Sequence, residues 1–206
     1  MPMLATRILR KSWEVEPELI RRDLTLEGLL RVRTMALAAG ADATPFHAAN
    51  AAGSLTFHYG IYGLRDEFVG DEWRLDRPNG VEVIRNDRLN MLVSFANVDV
   101  ACNDFHDPKP RSKKGAGTER TSQTTLFESL PTYAPTPGSG HSLYYLMVGE
   151  NGNSELSRPV VKNGSFGAYI ERLYLSIGDD GGGIKRLNDD SDIADNFDPL
   201  VLRKIR

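Results

Sequence analysis

The run Leu89–Cys102 (LNMLVSFANVDVAC) constrains the fold more than any other segment. It is rich in β-branched residues, and Met91, Val93 and Phe95 alternate with Asn90 and Ser94, the pattern of a strand. A shorter β-rich run, Val81–Arg85, precedes it across Asn86-Asp87, with Pro78-Asn79-Gly80 as an earlier turn. The two runs predict an antiparallel hairpin. Downstream, residues 142–149 (SLYYLMVG) and 154–161 (SELSRPVV) flank the turn Glu150-Asn151-Gly152-Asn153 and predict two further strands. Pro159 has no N–H for a ladder, which places the second at a sheet edge or ends it early.

The first third has helical periodicity. Thr25 is positioned to cap a helix from Leu26 to Ala39, with Leu26, Leu29, Leu30, Arg33 and Leu37 on one stripe and Gly40 at the C-cap. Thr44 and Pro45 predict the start of a second helix running to Phe68. Its stripe contains Gly53 and Gly60, each costly inside a helix, which predicts either close packing, within the chain or against a second copy, or a break in the helix. Near the other end, Phe166, Tyr169, Ile170, Leu173 and Ile177 form a helical stripe after Ser165. Asn163-Gly164 could instead turn a hairpin; the longer stripe favours the helix.

Between the strand pairs, residues 103–141 hold five prolines and four glycines, with a possible short helix at Ser122–Leu130. A connection this long is functional or disordered in most domains. The expected architecture is α+β in a single domain of 206 residues. N-terminal helices (to about residue 70) would pack on a small antiparallel sheet (about 73–177), with a further C-terminal helix, the long inserted loop and a polar acidic tail (178–206).

Composition narrows the function classes. Apolar residues are 40% and charged residues 26% of the chain, ordinary for a globular protein. No apolar run reaches the ~18 residues a membrane helix needs. The N-terminal residues show no secretory or transit pattern, so a cytoplasmic protein is expected. A net charge of -3 argues against a uniformly basic nucleic-acid binder but not against a local patch. Cys102 is the single cysteine, which excludes an internal disulfide and a cysteine-based zinc site.

That local patch is Lys109–Arg120 (KPRSKKGAGTER), five basic residues against Glu119 alone, a net of +4. Lys109, Arg111, Lys113, Lys114 and Arg120 supply charge, and Gly115 and Gly117 let backbone N–H groups converge on an anion. It is not a Walker A loop, because the lysines precede the glycines. Residues 178–199 carry seven aspartates against Lys185 and Arg186, a net of -5, able to oppose the loop or mimic nucleic acid. Asp99, Asp104, His106 and Asp107 stand at the end of the strongest strand, beside the lysines, with Glu82 on the preceding strand. Such a set can hold a divalent cation on a phosphodiester, although its spacing fits turn chemistry as well.

The remaining candidates are weaker. Asp189–Asp195 fails the EF-hand pattern at its fifth and sixth positions. His47 and His58, about 16 Å apart on one helix, cannot share a metal. Arg7, Arg10, Lys11, Arg21, Arg22, Arg31 and Arg33 could extend a phosphate-binding face. Tyr144, Tyr145, Tyr169 and Tyr174 suit base stacking or a core, and Cys102 a packed thiol. The leading expectation is a non-catalytic accessory module for nucleic acid acting through the 109–120 loop. The alternatives are a regulatory module whose opposed charge patches bind an acidic protein surface or each other, and a metal-dependent phosphodiesterase.

Overall fold

The computed structural model describes residues 6–123 and 140–178. Its centre is a seven-stranded mixed sheet, where the sequence predicted a small antiparallel one. The strands are β1 (Arg7–Leu9), β2 (Arg74–Asp76), β3 (Val83–Asn86), β4 (Met91–Asn97), β5 (Ser142–Val148), β6 (Ser154–Lys162) and β7 (Ser165–Ser176). They lie in the order β1-β7-β6-β5-β4-β3-β2. Two contacts are parallel, β1 with β7 and β4 with β5, and the others antiparallel. The predicted β3–β4 hairpin forms, with Ile84 opposite Val93.

Three helices, α1 (Ser12–Ile20), α2 (Leu26–Ala41) and α3 (Ala51–Phe68), cover one face. Thr25 caps α2 as expected, accepting from the Gly28 N–H at 3.1 Å. The helix runs past Gly40 to Ala41. Helix α3 begins later than Thr44-Pro45 predicts; the His47 ring accepts from the Thr44 N–H, holding a turn ahead of the helix. Of the two stripe glycines Gly60 is closely packed within the chain, whereas a Cβ on Gly53 would make only an ordinary contact with Asn97. A Cβ on Gly60 would meet the Phe95 ring, and one on Gly63 would meet Val32 and Met35 of α2.

The predicted C-terminal helix is instead β7. Asn163 (φ 54°) and Gly164 (φ 73°) are both left-handed, the requirement of a two-residue hairpin turn. Register explains the helix-like spacing. Val161 faces Phe166 while Val160 faces Ala168, and Pro159 faces Tyr169 while Arg158 faces Glu171. Gly167 and Ile170 are thus extra residues, and each bulge resets the alternation. Phe166 and Tyr169, three apart, therefore join the same apolar cluster. The same bulges accommodate Pro159, so β6 is an interior strand rather than an edge.

On the sheet's second face the described residues place one short helix and an irregular segment instead of a helical layer. Residues 98–110 cross that face and turn back to β4, where Val98 bridges Pro110. A short helix, α4 (Ala116–Gln123), follows against β6 and β5. The remainder of the predicted helix at 122–130 and the acidic tail beyond Gly178 lie outside the described residues.

Candidate functional site

An irregular segment over an apolar face must satisfy its own backbone polar groups. Residues 98–110 do so with buried charge from the sheet. Arg172 and Glu155, on β7 and β6, form a two-pronged pair at 2.9 and 2.8 Å, with side chains 1% and 0% exposed. The remaining donors of Arg172 reach the carbonyls of Asn103 and His106 at 3.1 and 3.2 Å. Its guanidinium lies over the rings of Tyr169 and Tyr174. Glu155 also accepts from the Cys102 N–H and the Ser157 hydroxyl, both at 2.7 Å. The Tyr169 hydroxyl donates to the Pro108 carbonyl at 2.6 Å.

The predicted metal set is not assembled. Asp99 turns into its own loop, accepting from the N–H groups of Val100 and Lys109 and meeting the His106 ring at 2.8 Å. Burial opposes its ionisation, but those hydrogen bonds outweigh it and hold the carboxyl below its ordinary range. Asp104 pairs with Arg10 and accepts from the Tyr174 hydroxyl. Asp107 lies 3.7 Å from Arg172, and Glu82 pairs with Arg65 and Arg77. Among the described residues no three His, Cys, Asp or Glu side chains converge to hold a metal ion. Burial pushes the Cys102 thiol up to about 12, as suits a packed, unreactive sulfur.

The basic loop is partly folded inward. The Lys109 ammonium donates to the Phe166 carbonyl at 2.9 Å. The Lys114 backbone N–H donates to the Gly164 carbonyl at 2.8 Å, and its ammonium lies over the Tyr145 and Phe166 rings. Burial pushes that ammonium down to about 8. Arg111 pairs with Glu150 across the β5–β6 turn. Lys113 is exposed beside Gly164. The Arg120 side chain lies outside the described residues.

This folding adds a residue that the sequence reading did not place with the loop. Lys162, exposed at the end of β6, stands at the same Asn163-Gly164 turn. Lys109, Lys113, Lys114 and Lys162 therefore gather around one hairpin, and none has a carboxylate partner among the described residues. The hairpin reading of Asn163-Gly164 was the signal that would have located Lys162. The N-terminal arginines contrast with these lysines. Arg7, Arg10, Arg21, Arg22 and Arg31 are each in ion pairs and Arg33 donates to the Gly152 carbonyl, so most of the basic face expected there is neutralised, with Lys11 exposed and without a carboxylate among the described residues. Tyr144, Tyr145, Tyr169 and Tyr174 are buried and fill the core rather than presenting rings to solvent.

No described helix is long and apolar enough to cross a membrane. Comparison of the chain with protein-family models, with curated proteins and with solved structures finds no match.

Proposed function

We propose that this protein is a non-catalytic module that docks nucleic acid through the β6–β7 hairpin and the adjoining 109–114 segment. The observation that carries this reading is the contrast in charge pairing. Among the described residues four lysines around one turn lack acidic partners, whereas many arginines elsewhere are matched with carboxylates. Unpaired lysines on a chain of net charge -3 are a local field suited to a polyanion. Lys113 and Lys162 are the outward pair and make the first phosphate contacts. Lys109 keeps two of its three ammonium donors for a ligand. An acidic protein surface would engage the same lysines, without regard to bases.

The test is fluorescence anisotropy with single- and double-stranded DNA and RNA at two salt concentrations, comparing wild type with Lys113→Ala/Lys162→Ala. Binding should fall with salt, and the double variant should lower the dependence of log K on log salt by about one unit per lost phosphate contact. Salt-insensitive binding, an unchanged double variant or no binding to any of the four would overturn the proposal.

A further inference from the structure

Phe105 is fully exposed, at 100%, on the segment that also carries Lys109, Lys113 and Lys114. An exposed phenyl on a wandering loop would mean little. This one sits on backbone that is held on both sides. Its own N–H donates to the Asn103 side chain at 2.8 Å. The carbonyls of Asn103 and His106, its near neighbours, are bound by the buried Arg172. The His106 ring is tied to Asp99, which accepts from the Lys109 N–H. A buried ion pair, an expensive feature in any fold, thus presents an apolar ring to water.

The surroundings of the ring separate stacking from phosphate binding. Asp99, Asp104, Asp107 and the buried Glu155 surround its backbone, and the fixed cations there are Arg10 and Arg172, so the place is net acidic. A phosphate is disfavoured there, whereas an uncharged base ring is not. The lysines lie toward the Phe166 end of β7, six to eight residues from Arg172 and Tyr174. Lys109 is four residues along the chain from Phe105, so their backbones lie within about 14 Å of each other, a span that a few nucleotides of an extended strand can cover.

We infer that Phe105 is a stacking platform for an unpaired base, so that the preferred ligand is single-stranded nucleic acid running from Phe105 to the lysines of the β6–β7 hairpin. The inference rests on the proposed nucleic-acid reading and adds which form is bound and by which ring. Base–aromatic stacking tolerates sequence, so a form preference without strong base preference is expected.

The experiment uses the full chain with Phe105→Ala and Phe105→Trp. Phe105→Ala should weaken binding to single-stranded oligonucleotides roughly 5- to 100-fold while leaving the salt dependence unchanged. Duplex binding should barely change. Circular dichroism and melting temperature should match wild type, because the side chain contacts solvent. Phe105→Trp should restore affinity, and its emission, taken as the difference from wild type, should be quenched by an oligonucleotide but not by heparin, a polyanion without bases. A Phe105→Ala variant that binds single strands like wild type, or a tryptophan that responds equally to heparin, would overturn the stacking site. The lysine reading would still stand if the Lys113→Ala/Lys162→Ala variant lost salt-dependent binding. Absence of salt-dependent binding in wild type would remove both.

Discussion

The two faces of the sheet are covered by different chemistry. On the helical face, Val15, Leu19, Leu29, Val32, Ile61 and Leu64 close over Val93, Phe95, Leu146, Leu156 and Leu173. Helices satisfy their own backbone, so this covering layer can be almost wholly apolar. On the second face the apolar cluster is built around Leu92, Leu143, Tyr145, Met147, Phe166 and Tyr169, and an irregular segment crosses it. That segment cannot satisfy itself, and the sheet supplies Glu155, Arg172 and Tyr169 to do so. A helical layer on this face would have left Phe105 and the lysines no loop to stand on.

The comparison breaks most visibly at Arg172. Replacing it with Met leaves Glu155 buried without a counter-charge and two carbonyls without donors. The expected loss is about 3–5 kcal/mol in urea unfolding. Glu155→Gln/Arg172→Met should lose less than the sum of its single changes, since a neutral amide needs no counter-charge. Strict additivity would mean that the charges do not work as a pair.

A second effect belongs to the helical side. Its main polar tie joins Glu18 of α1 and Glu171 of β7 through Arg7 and Arg22, with the Tyr144 hydroxyl on Glu171. Hydrogen bonds from Arg7 and then Arg22 hold the Glu18 carboxyl down at about 2. A depressed carboxyl contributes stability that is complete above its unfolded value near 4.5 and is lost as pH falls toward 2. With Arg7 half-exposed and screened, the contribution is about 2 kcal/mol. Melting curves between pH 2 and 5 should flatten in Glu18→Gln, and an unchanged slope would contradict the assignment.

Gly60→Ala examines how closely the helical face is packed. The new methyl would run into Cγ and both Cδ atoms of the Phe95 ring. Overpacking costs about 1–3 kcal/mol, and better helix propensity returns up to about 1. A lower melting temperature, partly restored by Phe95→Leu in the same chain, is the expected result; no loss would mean that α3 can move away from the sheet.

On the helical side α2 was legible in the sequence because its signals are local, while α1 was not foreseen and α3 starts later than its cap signal. Thr25 as a cap and the apolar stripe after it needed no knowledge of neighbours. The second face was not, because its logic is long-range. Glu155 and Arg172 are separated by seventeen positions, and nothing local distinguishes them from surface charges. Strand β7 was misread because two bulges gave it the spacing of a helix. Strand β1 is three residues long and gains its place only by parallel pairing to β7. The basic loop was legible as charge, but not which lysines turn inward. Phe105 carried no signal at all, since a lone phenylalanine in a loop reads the same whether it is buried or presented.

The smallest effect bears on whether the second face tolerates charge only where it is paired. Lys114 is the lysine most withdrawn from water there, its ammonium held over two rings with no carboxylate among the described residues. Its value in the folded chain, about 8, lies below the ordinary 10.5. Between those pH values the unfolded chain binds more protons than the folded one, so stability should rise with pH across this window. Below about 8 the full penalty applies, reduced by attraction to the Tyr145 and Phe166 rings. Lys114→Met keeps the apolar stem and removes the charge. It should raise stability at pH 7 by up to about 1 kcal/mol and abolish the rise between pH 8 and 10.5. If the variant is less stable at pH 7, the rings hold the cation strongly enough to offset its desolvation. The second face would then be stabilised by this charge as well as by the Glu155–Arg172 pair.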